Sequence, residues 1–155
     1  MTPRTVATVR RVDRAELLEF VRPRHRVVLT TFRADGRPQS SPVTAGVDEQ
    51  GRLVVSTYPD RAKAVNARRD RRGSAVVLSD DFGDAWVQVD GDLEVLDGEE
   101  AVEPLVEYFR CISGEHPDWA EYRQAMRDQG KSLLRLTITG WGPVATGGFP
   151  PRLAG

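Results

Sequence analysis

The stretch Ser56-Thr57-Tyr58-Pro59-Asp60-Arg61-Ala62-Lys63-Ala64-Val65-Asn66 has residue types at spacings that could do chemistry. Two hydroxyl residues end an apolar run, and a helix-compatible run begins shortly after. The first turn of a helix has unpaired backbone N–H groups and a partial positive charge. Arg61 and Lys63 in that turn oppose the helix dipole. A bound anion would relieve the conflict, which is the physics of a phosphate site. Lys63 and Asn66 are three apart and share one face of the predicted helix. The competing reading makes Arg61, Lys63, Arg68, Arg69, Arg71 and Arg72 a solvated basic face. The residues alone leave both open.

A second stretch, Gln39-Ser40-Ser41-Pro42-Val43, places small hydroxyls on a predicted strand, where a flat ring could approach the backbone. Its plain alternative is a half-exposed strand with polar outward positions. Trp86, Trp119 and Trp141 could each stack on a ligand ring, although large aromatics more often fill cores. Trp86, which follows an acidic turn, is the best placed of the three. Asp80, Asp81, Asp84, Asp90 and Asp92 match no calcium-loop spacing and read as a solvated turn. Cys111 lies beside the apolar face of a predicted helix and reads as an inert thiol. His25 and His116 have no evident triad partners, and no phosphate-loop or dinucleotide fingerprint occurs. An anion site without a nucleophile, metal or acid–base pair fits a protein that binds a ligand or lets a cofactor do the chemistry.

The elements that must position these residues can be read from periodicity and turn chemistry. Val12 to Val21 has helical spacing, with Asp13 as its cap and Pro23 as its stop. Val27 to Phe32 reads as a strand, Asp35-Gly36 as a tight turn, and Pro38 to Val47 as the returning strand. Asp48 to Gly51 turns into a third strand, Arg52 to Thr57. A short helix follows from Arg61 to about Asp70, with Asp60 as N-cap and Gly73 as closing glycine. Ser74 to Ser79 and Ala85 to Leu96 read as strands, with Gly91 as a bulge. Glu99 to Ser113 is helical, with Pro104 tolerated only in the first turn. Pro117 to Arg127 is a further helix, and Leu133 to Val144 the last strand. Short hairpins joining about six strands favour a closed antiparallel barrel with helices outside.

Composition narrows the partners. The chain has 155 residues, enough for one domain spanning 1–155. Hydrophobic residues are 39% and charged residues 29%, which supports a core and argues against wholesale disorder. A net charge of −1 disfavours bulk electrostatic binding to nucleic acid. One cysteine rules out an internal disulfide, and two histidines argue against a His-rich metal centre. No apolar run has the length of a membrane helix, and the stretch from Met1 to Arg11 lacks the apolar segment of a secretory signal. A cytoplasmic location is expected.

Asp35-Gly36-Arg37-Pro38-Gln39 followed by Ser56…Asp60-Arg61-Ala62-Lys63…Asn66-Ala67-Arg68-Arg69-Asp70 resembles the pyridoxamine 5′-phosphate oxidase-like split-barrel flavin and deazaflavin proteins. The run Tyr108-Phe109-Arg110…Gly114-Glu115-His116-Pro117-Asp118-Trp119…Tyr122-Arg123-Gln124-Ala125-Met126 resembles their actinobacterial branch that uses coenzyme F420. The resemblance covers Val12 to Val144. It implies a mainly β, six-stranded antiparallel split β-barrel with flanking helices, assembled as a homodimer. It also implies a cofactor groove at the dimer interface. The ring would pack on Gln39, Ser40, Ser41, Pro42 and Val43, near Ser56 and Thr57. The phosphate or acidic tail would meet Arg61, Lys63 and Asn66, with Trp86 near the cofactor. Arg68, Arg69 or Arg152 could serve a longer anionic tail. The implied function is an F420-dependent oxidoreductase acting on an electron-poor enone or quinone. FMN as the cofactor, or storage of F420 without turnover, are the alternatives. Where many relatives carry an aromatic after the strand proline, Thr44 and Ala45 stand here. The C-terminal Phe149-Pro150-Pro151-Arg152 departs from the substrate-binding end of the oxidases proper, which argues against a vitamin B6 phosphate as substrate.

Overall fold

The computed structural model describes residues 5–153. The first four residues of the basic N-terminal stretch, and residues 154–155, lie outside them. Alternation of β-branched and polar residues gives β2 (Arg26–Phe32), whose Val27, Leu29 and Thr31 are buried. Gly36, at φ 86°, turns the chain into β3 (Pro38–Val47). The Asp48 carboxylate accepts from the amides of Gln50 and Arg52 and from Arg52 Nε, and so organises the next turn. β4 (Leu53–Thr57), α2 (Ala62–Arg69), β5 (Arg72–Leu78) and β6 (Val87–Leu96) follow. Then come α3 (Val102–Ser113), α4 (Trp119–Gln129) and β7 (Ser132–Trp141). The six strands close into an antiparallel barrel in the order β2-β3-β4-β7-β6-β5. The expected barrel with flanking helices is the observed fold.

α1 (Arg14–Val21) starts at the expected cap. The Glu16 amide donates to Asp13 Oδ1 at 2.9 Å, and the Glu16 carboxylate accepts from the Asp13 amide at 3.1 Å. Its Leu17 and Val21 join the core within the barrel, with Leu29, Val55, Val89 and Leu136. A second apolar cluster lies outside the barrel. There Val54, Leu96 and Leu133 pack against Leu105 and Met126 and fasten α3 and α4 to β4, β6 and β7. The Gly91 bulge is present: a Cβ at that position would stand 1.9 Å from the Thr137 carbonyl oxygen.

Several local expectations need correction. Asp60 does not cap α2; Arg61 stands at the N-cap with extended backbone and no side-chain cap bond. Gly73 does not close α2 either. It lies inside β5, where Leu93 occupies the space a Cβ would need. Asp118, not Pro117, begins α4 by accepting from the Glu121 amide. Trp86 precedes β6 and forms only an isolated bridge to Ala145. The last strand breaks at Gly142-Pro143; the chain resumes as β8 (Val144–Thr146), which pairs with β1 (Thr8–Arg10) in a separate two-stranded sheet. Among the described residues, no helix is long and apolar enough to cross a membrane.

Candidate functional site

The site begins where two strands part. β3 pairs with β2 from Pro38 to Thr44, but with β4 only over Ala45–Val47. β4 continues instead beside β7, with Ser56 opposite Leu133 and Thr57 opposite Ser132. The β3 edge from Pro38 to Thr44 therefore faces a split in the barrel. α2 packs at the β2 end of this opening, where the Asn66 amide donates to Thr31 Oγ1 at 3.1 Å.

The five β3 candidates divide between two faces. Directly paired antiparallel residues point the same way. Gln39, Ser41 and Val43 oppose Thr31, Leu29 and Val27 and face inward. Ser40 and Pro42 face outward, and Ser40 Oγ is 2.8 Å from Thr30 Oγ1. Ser41 Oγ is buried with no hydrogen-bond partner. A buried hydroxyl without a partner is costly, so it marks a place that a ligand group could satisfy. Ser56 is half-buried and Thr57 buried.

The basic run is sorted sharply by its partners. Arg68 donates to the Pro59 carbonyl at 2.8 Å and to both oxygens of Asp97. Arg69 donates to the Phe32 carbonyl and to Asn66 Oδ1, Arg71 to the Leu93 carbonyl, and Arg72 to Asp70. Arg61 and Lys63 differ. Neither side chain has a hydrogen-bond or ion-pair partner among the described residues. The amides of Ala62 and Lys63 also have no acceptor there. Burial lowers the Lys63 pKa, and the adjacent Arg61 charge lowers it further. Two free N–H groups and two unpaired cations thus meet at one uncapped helix start, an arrangement that suits an anion.

Asn66 does not share this open face. It is 6% exposed, and both ends of its amide are bound, to Thr31 and Arg69. Its role in the fold is to seat α2 on β2. Arg68 and Arg69 are likewise spent on internal acceptors and are not spare cations for an anionic tail. Trp86 is 39% exposed beside Ala145, on the β6 side of the barrel.

Sequence reasoning missed a cavity of about 350 Å³ that opens beside the split, between β3–β4 and the helices α3 and α4. Thr44 and Ser56 form its strand wall, and Tyr108, Phe109 and Tyr122 its helix wall. Lys131, also on this cavity, stands just before β7 and had no local spacing signal. The quoted run from Tyr108 to Met126 supplies much of the helix wall. Phe109, His116, Trp119 and Tyr122 form one aromatic cluster with ring centroids 5.1–5.7 Å apart. Trp119 Nε1 donates to Glu115, so Trp119 is a packing residue of this cluster. Cys111 donates to the Val47 carbonyl, and burial, with the nearby Glu107, Asp48 and Glu49 charges, raises its pKa, as suits an unreactive thiol.

The model of the pyridoxamine 5′-phosphate oxidase family matches residues 14–145. The chain belongs to that family. Members of the pyridoxamine 5′-phosphate oxidase family include oxidoreductases. The structure of the conserved hypothetical protein Rv2991 from Mycobacterium tuberculosis aligns with a TM-score of 0.72 at 23% identity, covering 93% of this chain and 89% of that one. An F420 reductase aligns with a TM-score of 0.59 at 17% identity, covering 80% of this chain and 94% of that one. HutZ, the heme storage protein from Vibrio cholerae, aligns at 0.61 and 20% identity, covering 84% and 93%. At these identities the likeness is one of fold, and function must be argued from the site.

Proposed function

We propose that this chain is a cytoplasmic oxidoreductase that binds coenzyme F420 in the barrel split and reduces an electron-poor small molecule of the enone or quinone type. One observation carries the proposal. Arg61 and Lys63 stand unpaired beside two free backbone amides, while the four neighbouring arginines are all bonded inside the chain. The residues present fit the cofactor's anionic portion at α2. The unpartnered Ser41 hydroxyl fits a polar ring edge at β3. When bound in reduced form, the deazaflavin supplies the hydride, and water supplies the proton that completes a two-electron reduction.

The chain's own part is to bind, orient and exclude water. Arg61, Lys63 and the amides of Ala62 and Lys63 would hold the phosphate. Gln39 to Val43, with Ser56 and Thr57, would set the depth of the ring at the split. A second copy of the chain, seated on the outer face of β2, β3 and β5, would cover the site and contribute Trp86 to it. That face has a depression of about 450 Å³ bordered by Val28, Pro42, Leu78 and Phe82, and Phe82 is 86% exposed.

Side-by-side titration of the purified chain with F420 and FMN tests the reading. F420 is expected to bind more tightly than FMN, and the bound reduced form to be oxidised when a quinone is added. Tighter FMN binding would replace the cofactor. Binding of neither would end the proposal. Binding without any quinone-dependent oxidation would leave a storage protein.

A further inference from the structure

We infer that the cavity between β3–β4 and α3–α4 receives a planar ring compound bearing a single carboxylate, with Lys131 as the anchor for that carboxylate. The inference deepens the proposed function, because Thr44 and Ser56 belong both to this cavity and to the point where β3 and β4 part. A compound held here would lie beside a ring bound in the split.

The phenols of the cavity wall are spent on the backbone. Tyr108 donates to the Thr44 carbonyl at 2.8 Å, and Tyr122 to the Leu105 carbonyl at 2.9 Å. Burial, with Tyr108 nearby, pushes the Tyr122 pKa up to about 12, so this phenol stays a neutral donor. What the two tyrosines and Phe109 can offer the cavity is therefore ring surface. Aromatic surfaces favour flat partners in offset or edge-on contact. The volume of about 350 Å³ lies in the lower part of the range of small-molecule pockets, roughly 300–1,000 Å³, and suits one or two rings.

The polar groups define the rest of the ligand. The Ser56 and Ser113 hydroxyls, both on this cavity, have no hydrogen-bond partner among the described residues. The Lys131 ammonium has no carboxylate partner there and rests over the Tyr58 ring, 5.4 Å from its centroid. No lining residue is acidic. One cation without a counter-charge, on a cavity that also carries two hydroxyls able to donate, matches one carboxylate. A phosphate ester is better matched at α2, where two cations and two amides converge. The cavity thus separates substrate charge from cofactor charge.

The test uses the cofactor-free 155-residue chain, titrated calorimetrically at neutral pH with para-nitrobenzoate and with para-nitrobenzamide, its neutral analogue. The benzoate is expected to bind about tenfold more tightly than the amide, the size of one charge-assisted hydrogen bond. Lys131→Gln should erase that preference, and Lys131→Arg should retain it. Lys63→Gln should leave both affinities unchanged. Equal binding of the two probes, or a preference that survives Lys131→Gln, overturns the inference. A preference lost in Lys63→Gln but not in Lys131→Gln overturns it too, since the anion would then sit at α2. The F420 and FMN titration is independent: its failure would end the reductase reading and leave the carboxylate pocket standing.

Discussion

At the scale of single residues, Lys63 is the sharpest handle on the site. Its ammonium is half-buried and unpaired, next to another cation. An anion would supply the missing partner. Lys63→Ala should therefore weaken cofactor binding by roughly 1.5–3 kcal/mol, the usual worth of a hydrogen bond to a charged group. Added salt should weaken wild-type binding more than binding to the variant. The pH dependence has a definite sign. Burial and Arg61 hold the free-state Lys63 pKa below its ordinary value, whereas a bound anion would raise it. Affinity should be full below the free-state pKa and fall as pH rises through it, before the ordinary lysine range is reached. Lys63→Arg should flatten that decline, because guanidinium does not titrate there. Isothermal titrations across alkaline pH in both proteins check it. A decline that is the same in Lys63→Arg would show that another group is responsible.

At the scale of elements, α2 owes its position to contacts that local spacing could not reveal. The basic character of Arg61 to Arg72 was legible, and so was the conflict of Arg61 and Lys63 with the helix dipole. Which cations were free was not. Arg68 finds Asp97, 29 positions away, and Arg69 finds the Phe32 carbonyl, 37 positions away. Asn66 turned inward for the same reason: Thr31, on a distant strand, offered its hydroxyl. Turns and bulges fared better because their chemistry is local, as Gly36 and Gly91 show. Arg68 gains a further role from its partners. It joins the Pro59 carbonyl, just before the anion site, to Asp97, which also accepts from Ser132 at the start of β7. Burial would raise the Asp97 pKa, but the bonds from Ser132 and Arg68 outweigh it and keep the carboxyl low. In the proposed site Arg68 would thus act as a positioning residue. Arg68→Gln should cost at most about 1 kcal/mol of stability, since the pair is partly exposed. It should nonetheless loosen F420 by several-fold while leaving para-nitrobenzoate binding at Lys131 intact. Urea unfolding and the two titrations separate these effects. Parallel losses for both ligands would mean general damage.

At the scale of the whole molecule, the outer face of β2, β3 and β5 is the surface that one chain leaves unresolved. Strand alternation buries Val27 and Leu29 inside the barrel, which necessarily turns Val28 outward beside Pro42. Leu78 and the strongly exposed Phe82 extend the same apolar area. Contiguous apolar surface of this kind commonly marks an interaction site. A two-fold partner on it would be self-complementary, since the same residues serve both protomers. It would also explain why the split, so close to this face at Pro42 and Thr44, is open in one chain. The expected mass in sedimentation is twice that of the 17.2 kDa chain. Val28→Glu would place a charge at the centre of the interface, where desolvation without a partner is costly. It should yield a monomer with unchanged thermal unfolding cooperativity and much weaker F420 binding. Because Arg61 and Lys63 remain intact in that variant, the loss would measure the part of the site that the second copy completes. A wild-type chain that sediments at 17.2 kDa and still binds F420 tightly would confine the whole site to one protomer.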